Sequence, residues 1–319
     1  MDIKRRDFLK IAAGGGMLLA AGEPAFAREP KQLPPEAVGI LYDATVCIGC
    51  KVCQVACKEN NEMPAEHTAR EGIWDDPIDL SSKTLNIIKT YKNGTGEAKD
   101  TEINGFSFIK RHCMHCVDPS CVSACPVSAL KKDPRDGVVS YNKDACIGCR
   151  YCQIACPYNI PKFEFDKPFP RIRKCQLCNH RYKDGKFSAC CEFCPTGASI
   201  FGKVTDLLEE AKKRLALKTG DYYNYPVAHV KSANKSYRPV SKYINYVFGE
   251  KDGGGAQYLL LAGVPFEKLG LPQLSGSADA AFSEGLQHTL YKGMIAPGVV
   301  LAGLLFAAYR SAGGHKDDE

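Results

Sequence analysis

Cys146-Ile-Gly-Cys149-Arg-Tyr-Cys152-Gln-Ile-Ala-Cys156-Pro157 decides how this chain reads. Three cysteines follow one another at gaps of two residues, a fourth comes after three more, and proline closes the run. Thiolates at this spacing ligate cubic iron–sulfur clusters. A tight turn carries three of them to three corners of one cube. The fourth sits on the helix that follows, faces away and ligates a neighbouring cluster. A zinc site needs only two C-x-x-C pairs or histidine partners, so four cysteines in twelve residues favour a cluster.

The run recurs. Cys47-Ile-Gly-Cys50-Lys-Val-Cys53-Gln-Val-Ala-Cys57-Lys58 matches it at eight of twelve positions, 99 residues upstream. Between the two lie Cys113-Met-His-Cys116, Cys121 and Cys125-Pro126. Downstream come Cys175-Gln-Leu-Cys178, Cys190 and Cys194-Pro195. These other copies keep both ends of the motif and lengthen its middle, as duplicated units do. Sixteen of the seventeen cysteines are used, four for each of four clusters. Cys191 is left over. Only Cys190 keeps the spacing of three before Cys194-Pro195, so Cys190 reads as the ligand and Cys191 as a small buried hydrophobe.

With 45% hydrophobic and 24% charged residues, the 319-residue chain has the balance of an ordinary globular protein of one to three domains. Its cysteine content would suggest disulfides in an exported protein, but these spacings fit clusters. A net charge of +6 invites a nucleic-acid partner. Four clusters with their thiolates would add roughly −8 and remove that reading. The basic residues Lys131, Lys132, Arg135, Arg171, Arg173 and Lys174 form no helical stripe, and no nucleic acid is expected.

Residues 1–27 read as an address. Lys4-Arg5-Arg6-Asp7-Phe8-Leu9-Lys10 is a twin-arginine signature, followed by an apolar run from Ile11 to Ala21 and the small-x-small site Ala25-Phe26-Ala27. That run is too short to span a bilayer. The twin-arginine route carries folded proteins, which suits a chain loaded with clusters in the reducing cytoplasm. The mature protein, from near Arg28, is therefore expected on the periplasmic side of the cytoplasmic membrane.

Residues 28–204 form the expected cluster domain, with Val38 to Asp43 as the strand entering the first motif. Asn93-Gly-Thr-Gly96 reads as a hairpin turn joining Leu85–Tyr91 to Phe106–Arg111, and Asp136-Gly137 as a turn before Val138 to Tyr141. Residues 205–285 begin with a helix capped by Thr205. Leu207, Leu208, Ala211 and Leu215 lie on one face, and Lys212, Lys213 and Arg214 near its end. From Thr219 to Glu284 the sequence predicts an irregular, extended segment lying on other surfaces. Gly253-Gly254-Gly255 lacks the strand–helix frame of a dinucleotide loop and reads as a turn.

Residues 286–319 read as a tail anchor. Gly293 to Tyr309 carry no charge over seventeen residues, which is about 25 Å as a helix and enough to cross a membrane core. Pro297 is tolerable there, and Arg310 and Lys316 would face the cytoplasm. A buried core helix is the alternative.

No C-x-x-C-H haem site, P-loop or G-x-S-x-G is present, so the chain reads as a wire without a catalytic site. His112 and His115 flank Cys113 and are expected to pack or bond to backbone rather than tune a cluster. His180 and His288 carry less, and Trp74 stands apart from every cysteine run.

On these motifs the chain resembles the four-cluster electron-transfer subunits of exported oxidoreductases, which serve formate dehydrogenases, dimethyl-sulfoxide-type reductases and nickel–iron hydrogenases. The resemblance implies an α+β fold of tandem bacterial-ferredoxin-like units with four 4Fe-4S clusters. In that family motifs one and four share a subdomain, as do two and three, and each pair exchanges its fourth cysteines. Carried onto these residues, it implies cluster 1 on Cys47, Cys50, Cys53 and Cys194, and cluster 2 on Cys113, Cys116, Cys121 and Cys156. It places cluster 3 on Cys125, Cys146, Cys149 and Cys152, and cluster 4 on Cys57, Cys175, Cys178 and Cys190. Motif one departs from the pattern, with Lys58 where the others have proline.

Outside the motifs, the twin-arginine signal, the tail, Gly249-Glu-Lys-Asp-Gly-Gly-Gly255 with Gly263-Val-Pro265, and Gln287-His-Thr-Leu-Tyr-Lys-Gly-Met294 are similar to HybA-type subunits of hydrogenase-2 class membrane-bound hydrogenases. This likeness covers essentially the whole chain. It implies a non-catalytic subunit that takes electrons from the hydrogenase small and large subunits to an integral-membrane quinone-reactive subunit. The alternatives are the equivalent subunit of a molybdopterin oxidoreductase and, in a different class, a zinc-bound structural scaffold.

Overall fold

The computed structural model describes residues 28–67, 75–92, 106–182 and 184–313. The twin-arginine stretch, Trp74 and the Asn93–Gly96 turn lie outside the described residues. The described chain forms two compact units, Lys31–Asp279 and a second that holds residues 28–30 and 280–313.

The first unit follows the chain as β1 (Val38–Asp43), α1 (Val52–Asn60), β2 (Ile87–Lys92) and β3 (Phe106–Arg111). Then come α2 (Ser120–Ser123), β4 (Leu130–Lys132), β5 (Val139–Tyr141), α3 (Tyr151–Ile154), β6 (Lys162–Phe163) and β7 (Ile172–Arg173). It continues with α4 (Asn179–Tyr182), α5 (Ala189–Glu192), β8 (Ser199–Lys203), α6 (Val204–Leu215), β9 (Tyr222–Pro226), β10 (Ala228–His229), β11 (Lys235–Pro239) and β12 (Tyr258–Leu261). Helix and strand are thus mixed, as an α+β fold requires.

A four-stranded sheet in the order β10-β8-β1-β12 divides this unit. Side chains alternate across a strand, and here the alternation sorts two cores. Ile40 and Tyr42 of β1, Phe201 of β8, and Tyr258 and Leu260 of β12 face a core that contains Cys47, Cys53, Cys113, Cys190 and Cys194. Leu41, Ile200, Leu259 and Leu261 face the other way, onto Val204, Leu207 and Ala211 of α6. The sheet therefore walls the cysteines off on one side and is held from behind by a helix. Each fully buried aliphatic side chain contributes about 1.5–3 kcal/mol.

β12 lies in the stretch expected to be irregular. It pairs parallel with β1, Ile40 opposite Tyr258, and all four of its residues are buried. A four-residue apolar run buried on both faces has no alternation to betray it, which is why the sequence conceals it. β2 and β3 pair antiparallel as expected, and β4 and β5 flank Gly137, whose φ of 71 makes the turn.

Helix α6 begins one residue before the expected cap. Lys203 precedes it without a side-chain cap, and Thr205 is its second residue. Arg214 does not face solvent. It is 0% exposed, bonds Asp43 at 3.0 Å and Glu210 at 2.8 Å, and stacks over Tyr225 at 4.9 Å. Removing one member of such a buried ion pair typically costs about 3–5 kcal/mol.

The second unit is dominated by α7 (Asp279–Gly313), a 35-residue helix that contains Pro297. It starts well before Gly293. Its stretch Asp279–Phe306 has mean hydropathy 1.5 with none of its most apolar window buried, so by length and composition it is able to cross a membrane. A core helix would bury that face. Arg28 pairs with Glu284 and donates its backbone N–H to Ala281 O at 3.1 Å.

Candidate metal centres

The four cysteine runs share a backbone device. The second residue after the first cysteine is left-handed in every one: Gly49 (φ 71), His115 (φ 49), Gly148 (φ 70) and Leu177 (φ 57). This bend turns an amide toward the thiol it has just passed. Gly49 N–H donates to Cys47 Sγ at 3.4 Å and Leu177 N–H to Cys175 Sγ at 3.3 Å, and the Gly148 amide lowers the Cys146 thiol pKa. Glycine is needed where space is short as well: a Cβ on Gly49 would stand 2.5 Å from the Phe108 ring.

A second bend follows each Cys-Pro pair, with positive φ at Ser128, Asn159 and Gly197, three residues after Cys125, Cys156 and Cys194. Beyond it Ala129 N–H donates to Cys125 Sγ at 3.2 Å and Ser199 N–H to Cys194 Sγ at 3.4 Å. Amides aimed at sulfur favour the thiolate and tune a cluster bound there.

The structure brings the thiols together in sets. Cys57, Cys175, Cys178 and Cys190 line one small cavity. Cys125, Cys146, Cys149 and Cys152 line another. Burial pushes the Cys116 thiol well up, and Cys113, Cys121 and Cys156 around it push the same way. Burial likewise raises Cys53, opposed by Lys110 and reinforced by Cys190, Cys47 and Cys194. Cys50 is exposed.

Adjacent sets also feel one another. Cys190 raises the Cys53 thiol electrostatically, and Cys113 does the same to Cys175. Cys121, pushed up to about 12 by burial and then by Cys113, is raised by Cys152 as well. Among the described residues no three His, Cys, Asp or Glu side chains converge as one metal ion requires. Four thiols around a void, with amides directed at sulfur, fit a cube rather than a zinc ion.

Cys190 and Cys191 differ sharply. Cys190 lines the first cavity, and the adjacent Cys191 lowers its thiol pKa, with Lys110 adding to the fall against burial. Cys191 is 0% exposed and does not line that cavity; burial and the neighbouring Cys190 push its thiol well up.

The flanking histidines bond to backbone. His112 Nδ1 lies 2.8 Å from Cys113 O, with its ring 4.0 Å from that of Tyr258. His115 Nδ1 accepts from Val139 N–H at 3.0 Å. Burial holds both well below the usual histidine range.

Three buried or half-buried lysines complete the surroundings. Lys132 Nζ donates to Cys116 O at 2.9 Å, Gly137 O at 2.7 Å and Gln257 Oε1 at 2.8 Å, and burial lowers its pKa to about 8. Lys174 Nζ donates to Val139 O and Cys175 O. Lys110 is 1% exposed, beside Cys190. Nothing in the sequence singles out Lys110, because Phe108 and Ile109 on opposite faces of β3 are both buried and strand parity gives no direction.

Comparison with known proteins agrees with this chemistry. Residues 105–204 match a 4Fe-4S dicluster domain, a span that takes in the last three cysteine runs. The hydrogenase-2 operon protein HybA of Escherichia coli O157:H7 is 48% identical over 315 residues, which is 97% of this chain and 96% of that one. The nitrate-inducible formate dehydrogenase iron-sulfur subunit of Escherichia coli K12 is 40% identical over 219 residues, 68% of each chain. Iron–sulfur clusters of the 4Fe-4S type are therefore its cofactors. The chain belongs to the family that contains HybA and the iron–sulfur subunits of formate dehydrogenases.

Proposed function

We propose that this chain is the electron-transfer subunit of a membrane-bound nickel–iron hydrogenase, with four 4Fe-4S clusters and no catalytic site of its own. Clusters 1 to 4 would be held, in order, by Cys47, Cys50, Cys53 and Cys194; by Cys113, Cys116, Cys121 and Cys156; by Cys125, Cys146, Cys149 and Cys152; and by Cys57, Cys175, Cys178 and Cys190. Each bound cluster accepts and releases one electron at a time. The protein's part is to hold the cubes in series, direct amides at their ligands and exclude water behind the central sheet.

The observation that carries this reading is the electrostatic coupling between thiols of different sets within one compact unit: Cys53 with Cys190, Cys175 with Cys113, and Cys121 with Cys152. It supports a series in the order 1–4–2–3. Hydrogenase is favoured over a molybdopterin enzyme because the likeness to HybA covers 97% of the chain and that to the formate dehydrogenase subunit 68%. The exposed apolar face of α7 supports residues 286–319 as a tail anchor. Residues 1–27 would be the export signal, 28–204 the cluster-bearing part and 205–285 an interaction segment. On this reading the clusters lie on the periplasmic side, between the hydrogenase small and large subunits and an integral-membrane quinone-reactive subunit.

Deleting the chain should separate two activities. Hydrogen oxidation with a soluble dye should survive, and hydrogen-dependent quinone reduction by membranes should collapse. Unchanged quinone reduction by hydrogen, with loss of formate oxidation instead, would assign the chain to the other enzyme.

A further inference from the structure

Strand β3 delivers a cation to the place where two thiol sets meet. Lys110 is 1% exposed. Two tyrosines of the central sheet fix the strand that carries it: Tyr42 Oη donates to Phe108 O at 2.9 Å, and Tyr258 Oη to Lys110 O at 2.8 Å. The Lys110 ammonium donates to Ser199 Oγ at 3.1 Å, and the charges it interacts with most strongly are the Cys190, Cys191 and Cys53 thiols. Ser199 in turn gives its backbone N–H to Cys194 Sγ at 3.4 Å. Cys190 lies in one set, Cys53 and Cys194 in the next.

Lys132 and Lys174 spend their protons largely on backbone carbonyls. Lys110 donates instead to a hydroxyl whose own residue bonds a thiol, and thiols are its main electrostatic partners. Burying an ammonium costs several kcal/mol unless negative charge compensates it. Here the compensation comes from thiolates, and a cube with its four thiolates carries roughly −2. Reduction adds a further negative charge on each side of Lys110, which a fixed neighbouring cation favours.

We propose that Lys110 is a shared potential-setting residue for clusters 1 and 4, raising the reduction potentials of both at their junction. The proposal rests on the four-cluster reading above. Its test is a potentiometric titration followed by electron paramagnetic resonance on the anaerobically purified complex, with iron counted in every sample. In Lys110→Met with full iron, two clusters should lose at least tenfold in their reduction equilibrium, about 59 mV for one electron. The other two should stay put, and Lys110→Arg should keep all four near their original values.

Lys110→Gln is the second variant, because its amide keeps a donor for Ser199 without the charge. Four unmoved potentials, or four that move together, would overturn the proposal. So would an arginine variant as shifted as the methionine one, since packing would then be the cause. Loss of iron in both Met and Gln variants would show that Lys110 holds the ligands and not the potential, and would also overturn it. A half-loaded unaltered protein is a different result, and counts against the four-cluster reading alone.

Discussion

Motifs one and three match at eight of twelve positions, yet the molecule treats them differently. In motif one Cys47, Cys53 and Cys57 are buried, and its helix α1 runs for nine residues. In motif three Cys146 and Cys149 are half-buried, and its helix α3 stops after four residues. The paired positions diverge too: Ile48, Val52 and Val55 are 39%, 39% and 54% exposed, whereas Ile147, Tyr151 and Ile154 are 65%, 58% and 83%. The same ligand spacing thus sits in two surroundings. Spacing selects the cofactor, and burial with nearby charge sets how it behaves.

Part of the difference is one residue. Pro157 has no N–H to continue a helix, and its ring clashes with the preceding turn. Lys58 imposes neither limit, so α1 runs on to Asn60. The Lys58 ammonium then ties the helix down, donating to Pro64 O at 2.9 Å, Lys83 O at 2.8 Å and Thr84 Oγ1 at 2.8 Å.

The sharpest way to break the comparison is inside the buried region. Cys190→Ser should lose or convert one cluster, seen as a fall of up to about four irons per chain. Cys191→Ser, one residue away and at least as buried, should keep every cluster. The reverse pattern would mean that Cys191 is the ligand and that the first cavity is misread.

A smaller effect should follow from exchanging the endings. Lys58→Pro imposes the ending of motif three on motif one and should cost about 3 kcal/mol, from a proline in a helix interior. Pro157→Lys touches a helix that has already ended and should change stability by only about 0.5 kcal/mol. Thermal unfolding of the loaded protein measures both. Equal losses would show that the two motifs differ in surroundings but not in how their helices end.

The strands flanking Gly137 and the β2–β3 pair were legible because alternation and turn residues mark them. β12 was not, since Tyr258-Leu-Leu-Leu261 is buried on both faces and offers no period to read. Arg214 misled for a related reason. Three cations at a helix end suggest solvent and dipole, and only the folded chain shows Asp43 waiting for one of them. In the site, cysteine spacing was informative because thiolate chemistry needs those residues at those gaps. Lys110 escaped notice because nothing local distinguishes a lysine that will lie against distant cysteines from one that will face water.

Iron and acid-labile sulfide per chain, measured on the anaerobically purified protein, test the central claim most directly. Four sets of four thiolates should give about sixteen of each. A value near eight would contradict the account, because two of the sets would then hold no cluster and the series from Cys53 to Cys152 would be broken.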